Sequence, residues 1–133
     1  MIFRQLIYLL SVSFIFTLFF QLVSFIVPIN LITINSGFIF GIFNNNNFAI
    51  VCLIIFSILA ITYFIRQSDR KNQFFLILLI SGIFSNLIDR IFRNGVIDYI
   101  KITFWPTFNL ADIAITFSLI FIAMKLIIKK TAS

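Results

Sequence analysis

Four long apolar stretches, at residues 5–27, 48–65, 74–92 and 108–128, alternate with short polar segments. A helix of about 20 apolar residues crosses the roughly 30 Å hydrocarbon core of a bilayer, so each stretch predicts a membrane-spanning helix. The first is too long for the apolar part of a cleaved signal peptide, and no small-x-small site follows it, so it is expected to remain as an anchor. Outside the helices the period changes to two. Residues 32–35 read as one short strand. In residues 96–104, Val96, Asp98, Ile100, Ile102 and Phe104 alternate with Ile97, Tyr99, Lys101 and Thr103, which predicts a second strand with the acid on its more apolar side. No Pro/Gly/Ser linker divides the chain and no repeat is visible, so residues 1–133 read as a single polytopic membrane domain. The Asn run at 44–47 is loop-like.

Composition agrees with a bilayer. The 133 residues are 62% hydrophobic and include 20 Phe, with a mean hydropathy of +1.16, whereas a soluble domain is about half apolar. Charge then sets the orientation. Arg4 precedes the first stretch, Arg66, Arg70 and Lys71 lie between the second and third, and Lys125, Lys129 and Lys130 close the fourth. The other two loops carry only Arg93 and Lys101, with Arg90 near the end of the third stretch. Basic loops stay inside, so both termini and residues 66–73 are expected in the cytoplasm, with Asp98 and Asp112 near the outer face. The net charge of +6 reads as topology and attraction to anionic lipid. No basic stripe interleaved with exposed aromatics suggests nucleic acid.

The sequence also excludes chemistry. It has no His, so Ser-His-Asp and Cys-His nucleophile systems and HExxH zinc sites cannot be built. Cys52, alone in the second stretch, reads as packing. There is no Gly-rich phosphate loop and no cluster with metal-ligand spacing, so neither a metal nor another cofactor is expected. What remains is carboxylate chemistry or none.

There are only four acids, Asp69, Asp89, Asp98 and Asp112. The third and fourth helices are antiparallel neighbours joined by a short outer loop, so Asp98 in that loop and Asp112 near the start of the fourth helix lie at similar depth. Asn109 and Asp112 share a helix face at i, i+3, and Asn86, Asp89 and Arg90 recur at helical spacing on the third helix. Each has a purely structural reading as well. Asn109 to Asp112 after Pro106 has the form of a helix cap with an acid at the third position, worth about 1 kcal/mol. Asp89 and Arg90 fit the headgroup end of a span, and Asp98 fits a surface pair with Lys101. On spacing alone these readings and a catalytic one both stand.

Several blocks of the chain resemble, in order, the signatures of the lipoprotein signal peptidases, the type II bacterial signal peptidases. They are Asn35-Ser36-Gly37-Phe38-Ile39-Phe40, Asn86-Leu87-Ile88-Asp89-Arg90, Gly95-Val96-Ile97-Asp98-Tyr99 and Trp105-Pro106-Thr107-Phe108-Asn109-Leu110-Ala111-Asp112. The resemblance implies a mainly α membrane fold, four transmembrane helices with a small extracytoplasmic β-cradle, in the bacterial cytoplasmic (inner) membrane. It implies Asp98 and Asp112 as catalytic aspartates, Asn35, Asn86, Arg90 and Asn109 as residues that line the site and orient substrate, and Asp89 as a structural acid. The implied partners are a diacylglyceryl-modified prolipoprotein, cut just before the modified cysteine, and membrane lipid, with the chain acting as a monomer. The chain departs from the family pattern near the end of the first helix. There the usual Asp-Gln-x-x-Lys is Phe20-Gln21-Leu22-Val23-Ser24, and small residues usual after Gly37 are replaced by Phe38 and Ile39.

A close carboxylate pair explains why acids persist in so apolar a chain. Two neighbouring carboxylates do not both ionise cheaply, so they share a proton. One takes a proton from water as general base, and the protonated partner polarises the peptide carbonyl that the water attacks. The alternative is a non-catalytic four-span membrane subunit or ion path with structural Asp and Arg charges, which would tolerate Asp98→Asn.

Overall fold

A computed structural model describes residues 2–36, 46–66 and 70–131 of the chain. Helix α1 (Ile2–Ile26) ends before Pro28, a single 3-10 turn (Ile29–Leu31) follows, and β1 (Thr33–Asn35) leads towards α2 (Asn46–Ile65). After α3 (Arg70–Arg93) come three short strands, β2 (Val96–Asp98), β3 (Ile100–Ile102) and β4 (Trp105–Phe108), and then α4 (Leu110–Thr131). The expected loop residues 37–45, including Gly37 to Phe40, and Asp69 lie outside the described residues.

Among the described residues three helices are long and apolar enough to cross a membrane, at Phe3–Ile26, Asn72–Arg93 and Leu110–Ile128. The apolar run of α2, Asn47–Tyr63, sits at the short end of the range for one crossing. Helix α3 is the centre of the bundle. Its span is 67% buried, against 22% for α1 and 11% for α4, because it packs against α1, α2 and α4 at once. Leu76, Ile77, Leu79, Ile80 and Ile83 of α3 form the core with Leu9 of α1 and Ala60 of α2. The outer faces stay apolar and exposed, with Phe14, Ile15, Leu18 and Phe25 on α1 and Phe117, Ile120 and Ile127 on α4. Exposed apolar area on this scale is the surface of a protein that sits in lipid.

The close approach of α3 and α4 has a local cause. A Cβ on Gly82 would lie 2.7 Å from the carbonyl oxygen of Ala111 and 2.8 Å from Ile115 Cγ1. Only a glycine lets the first turn of α4 come this near.

Helix α3 stops at Arg93, and Asn94 takes a φ of 56°, the left-handed conformation that commonly closes a helix. Gly95 follows, where a Cβ would meet Ile34 Cγ2 at 2.7 Å and the Asn35 carbonyl oxygen at 3.0 Å. The chain thus turns directly into β2, which pairs antiparallel with β1 in the register Thr33↔Asp98, Ile34↔Ile97 and Asn35↔Val96.

The strand expected over residues 96–104 is in fact two. At Tyr99 the chain changes partner, with Tyr99 N–H donating to Phe108 O at 3.1 Å. From there β3 pairs antiparallel with β4, Ile100↔Phe108 and Ile102↔Trp105, with a register irregularity between. Strand β4 contains Pro106, which has no N–H to give to a ladder and is tolerated because this two-stranded sheet consists of edges. The alternation expected around Asp98 also fails. Val96, Ile97 and Asp98 are all buried, since β2 is paired with β1 and also packs against α3 and β4.

Candidate functional site

From Val12 to its end the polar residues of α1 fall at positions 13, 17, 21 and 24, a spacing of three to four that keeps them on one face. That face meets α3. Thr17 Oγ1 donates to Ser13 O at 2.8 Å and lies 3.3 Å from Ser81 O. Gln21 Nε2 lies 3.0 Å from Ser85 O, 3.1 Å from Ser85 Oγ and 3.0 Å from Asp89 Oδ1.

Asp89 is buried, 1% exposed, and is surrounded by donors. Arg93, one turn further along α3, forms an ion pair with it and donates to Gln21 Oε1 at 3.0 Å. The N–H of Ile97 donates to Asp89 Oδ2 at 3.2 Å. Asp89 therefore joins α1, α3 and β2, and fixes the strand whose next residue is Asp98. A charge this deep is tolerable only when paired and hydrogen-bonded.

Asp98, 2% exposed, has both carboxylate oxygens occupied. Asn35 Nδ2 donates to Oδ2 at 3.1 Å and Asn109 Nδ2 to Oδ1 at 3.2 Å. Asn35 reaches it because β1 and β2 are paired, and Thr33 Oγ1 lies 3.1 Å from the Asp98 carbonyl. The surface pair with Lys101 does not form, since Asp98 points inward to amides while Lys101 is exposed.

Asp112 lies in the first turn of α4. Asn86 Nδ2 donates to its Oδ1 at 2.7 Å, and Asn109 N–H donates to its Oδ2 at 3.1 Å. In return Asp112 N–H donates to Asn109 Oδ1 at 2.9 Å. This is a reciprocal capping box with aspartate in the glutamate place, so the structural reading of Asn109 and Asp112 is present in full. It does not exhaust them. Asn109 Nδ2 also reaches Asn86 Oδ1 at 3.1 Å as well as Asp98, so one asparagine joins the acid of β2, the amide of α3 and the cap of α4.

Arg90 is buried beside them, 6% exposed, and its charge acts on Asp89, Asp98 and Asp112 together. Burial pushes the Asp98 carboxyl up to about 7. The Asn35 hydrogen bond opposes that rise, the charge of Asp112 adds to it, and Asn109 and Arg90 oppose it. At neutral pH Asp98 is thus poised between its two forms, as a group that takes and gives protons must be.

Asn35, Asn86, Arg90, Asp98, Asn109 and Asp112 therefore meet at one end of the bundle, under the two short sheets, with Asp89 one step behind. Sequence reasoning did not single out Gln21, Ser24, Ser85, Arg93 or Tyr99 as part of this corner. The polar spacing 17, 21, 24 on an otherwise apolar helix was the readable signal for two of them.

A separate cavity of about 490 Å³ between α1 and α3 is lined by Leu10, Ser11, Ser13, Phe14, Thr17, Phe84 and Ile88. It contains no ionisable group and none of Asn35, Asn86, Arg90, Asp98, Asn109 and Asp112. Among the described residues no three of His, Cys, Asp and Glu come together in a way that would hold a metal ion.

The sequence profile of the family described as signal peptidase (SPase) II matches residues 12–128. Among individual relatives, the chain is 33% identical over 93 residues to the lipoprotein signal peptidase of Borrelia duttonii, covering 59% of this chain and 55% of that protein. It is 36% identical over 98 residues to the one from Thermodesulfovibrio yellowstonii, covering 68% and 65%. For the one from Chlamydia felis the identity is 36% over 102 residues, covering 71% and 62%. The aligned part of the chain thus spans between about half and two thirds of the length of these curated relatives. Two solved structures, both described as bacterial membrane enzymes, share the fold. One has a TM-score of 0.80 at 23% identity, covering 95% of this chain and 91% of that one. The other has a TM-score of 0.73 at 25% identity, covering 90% and 92%.

Proposed function

This chain belongs to the signal peptidase II family, and from that membership we propose that it is an aspartyl endopeptidase that removes the signal peptide of prolipoproteins just before a diacylglyceryl-modified cysteine. The observation that carries the reading is the pair Asp98 and Asp112, whose four carboxylate oxygens are all held by amide donors from Asn35, Asn86 and Asn109. Such donors fix the carboxyl groups in place without neutralising them.

The pair carries one proton. Its ionised member takes a proton from a water molecule, the water attacks the scissile carbonyl, and the protonated member donates to the carbonyl oxygen. Collapse of the tetrahedral intermediate expels the amine, which receives the proton taken from water, while the proton lent to the carbonyl oxygen returns to the pair as the new carboxylate forms. The pair titrates as a unit, so neither role is assigned permanently to one residue. Arg90, with its charge beside both acids, favours the developing negative charge and is suited to hold a substrate carbonyl.

The protein is a multi-pass protein of the bacterial inner membrane. The basic residues near Arg4, Arg66 to Lys71 and Lys125 to Lys130 support an orientation with both termini in the cytoplasm. The dyad then lies near the outer face, with Ile102, Phe104 and Trp105 of the β3–β4 hairpin exposed at the depth where aromatic residues favour the headgroup boundary. A substrate arriving there keeps its acyl chains in lipid while its peptide bond reaches the acids. All the proposed groups come from one chain, which is consistent with action as a monomer. Family membership leaves a non-catalytic subunit or ion path without support.

The test uses purified protein in detergent and a diacylglyceryl-modified peptide substrate, with and without a chelator. Cleavage before the modified cysteine is expected in both conditions, and Asp98→Asn and Asp112→Asn should each abolish it while the protein remains folded. Their double variant should be little worse than either single, because members of one catalytic unit are strongly non-additive in rate. Substantial cleavage by either single variant at equal protein would overturn the reading.

A further inference from the structure

Helix α1 carries no charged side chain after Arg4, yet near its C-terminal end it packs against an ion pair. Asp89 and Arg93 of α3 are joined to each other, and Gln21 of α1 meets both. Its Oε1 accepts from Arg93 Nη1 at 3.0 Å, and its Nε2 donates to Asp89 Oδ1 at 3.0 Å.

These partners leave the amide one orientation. A guanidinium only donates and a carboxylate only accepts, so the oxygen of Gln21 must face Arg93 and its nitrogen Asp89. Ser85 O at 3.0 Å and Ser85 Oγ at 3.1 Å lie beside the same nitrogen. A neutral amide thus bridges cation and anion, its acceptor on the one and its donor on the other, and brings no charge of its own into an apolar interface.

What the bridge fixes lies on the far side of Asp89. Gln21 and Arg93 both bond to Oδ1, which leaves Oδ2 to accept the Ile97 N–H at 3.2 Å. Ile97 directly precedes Asp98, whose carboxylate β2 presents to the amides of Asn35 and Asn109. If the Asp89 carboxylate turned, Ile97 would lose its acceptor and β2 its tie to α3.

We infer that Gln21 is a positioning residue: by clasping Asp89 Oδ1 and Arg93 it keeps Asp89 Oδ2 on β2, so that α1 sets where Asp98 stands relative to Asp112. The inference rests on the dyad reading above. It gives Gln21 no contact with substrate, so its loss should lower turnover and leave substrate binding alone.

The polarity of the bridge allows a test by exchange. Gln21→Glu sets one acceptor against another at Asp89. In Asp89→Asn the single oxygen serves either Ile97 or the pair Gln21 and Arg93, and its nitrogen is set against donors on the other side. Together the two changes invert the pair. The amide at 89 then donates to the carboxylate at 21, its oxygen still accepts from Ile97, and Arg93 keeps an anionic partner.

Cleavage of the diacylglyceryl peptide by the purified full chain in detergent is measured, with kcat, KM and melting temperature for each variant. Asp98→Asn comes first: normal cleavage by it would sink the dyad reading, whatever the other variants do. With that arm inactive, Gln21→Leu, Gln21→Glu and Asp89→Asn should each lower kcat about tenfold while KM stays within about twofold. The double variant Gln21→Glu with Asp89→Asn should return kcat to within about threefold of wild type, whereas two independent supports would lose additively. A Gln21→Leu variant with kcat within about twofold of wild type, a rise in KM alone, or a double variant no faster than Asp89→Asn would each overturn the inference. Should Asp89→Asn fail to fold, the double variant decides: folded and within about threefold of wild type it supports the exchange, and unfolded or as slow as Gln21→Glu it overturns it.

Discussion

Asn109 Nδ2 lies 3.2 Å from Asp98 Oδ1, so the residue that caps α4 also holds the acid of β2. The same side chain accepts the Asp112 N–H at 2.9 Å, and helix start and carboxylate pair are therefore set by one rotamer. The two duties are separable by substitution. Asn109→Ser keeps a good N-cap but is too short to donate to Asp98. We expect a melting temperature near that of wild type together with a large fall in kcat. Asn109→Ala should lose both, with a stability cost of about 1 kcal/mol for the missing cap. Equal turnover in Asn109→Ser and wild type would show that the bond to Asp98 is idle.

Gly82 sets how near α4 approaches α3. An added Cβ would sit 2.7 Å from the Ala111 carbonyl oxygen, backbone that cannot step aside without moving Asp112, the next residue. Gly82→Ala should destabilise by about 1–3 kcal/mol, as overpacking does, and slow cleavage. Combining it with Ile115→Val should recover little, because the nearer obstacle is the carbonyl and not the Ile115 side chain. Thermal melting in detergent checks the first expectation and full recovery in the double variant would refute the second.

Hydropathy made four helices legible because crossing length is a one-dimensional property. It did not show that α3 is central, since burial among helices and burial in lipid both select apolar residues; only Ser81, Gly82 and Ser85, small and close together, hinted at a packed face. Strand β4 was hidden by Pro106, which argues against a strand wherever edges are not considered. The split at Tyr99 was hidden too, because alternation continues through a change of partner. Asp98 and Asp112 stood out because acids are rare in this chain. Their amide partners Asn35, Asn86 and Asn109 stood out only through the family resemblance: by spacing Asn109 read as a cap, and its second bond, to Asp98, exists only in the fold. Gln21 registered only as the retained residue of a pattern whose charged members are replaced by Phe20 and Ser24, whereas in the fold it grips Asp89.

The proposed orientation is open to direct labelling. Phe104 at the β3–β4 turn is 95% exposed, and Arg66 closes α2 at the other end of the bundle. In a Cys52→Ala background, Phe104→Cys should react with a membrane-impermeant thiol reagent in intact cells. Arg66→Cys should react only after lysis. The reverse pattern would put the dyad on the cytoplasmic side and remove the proposed substrate from its reach.

The position of Asp98 in its pH range yields a prediction whose sign can be worked out. Burial raises its carboxyl from 3.8 to about 7, so between those values the folded protein binds a proton that the unfolded chain has released. Stability from this group is therefore greatest at the acid end of the window, falls as pH rises towards about 7, and changes no further above it. Asp98→Asn has no charge to bury. The melting temperature of the variant minus that of wild type should increase from about pH 4 to about pH 7 and then level off. Activity gives a second reading of the same group. Loss of the shared proton should produce an alkaline limb near pH 7. Asn35 donates to the ionised carboxylate at 3.1 Å and so holds the value down. Asn35→Ala should accordingly move that limb to higher pH, whatever it does to the maximal rate. A limb that moves to lower pH, or a melting difference flat across the window, would mean that Asp98 is not the group whose proton the reaction uses.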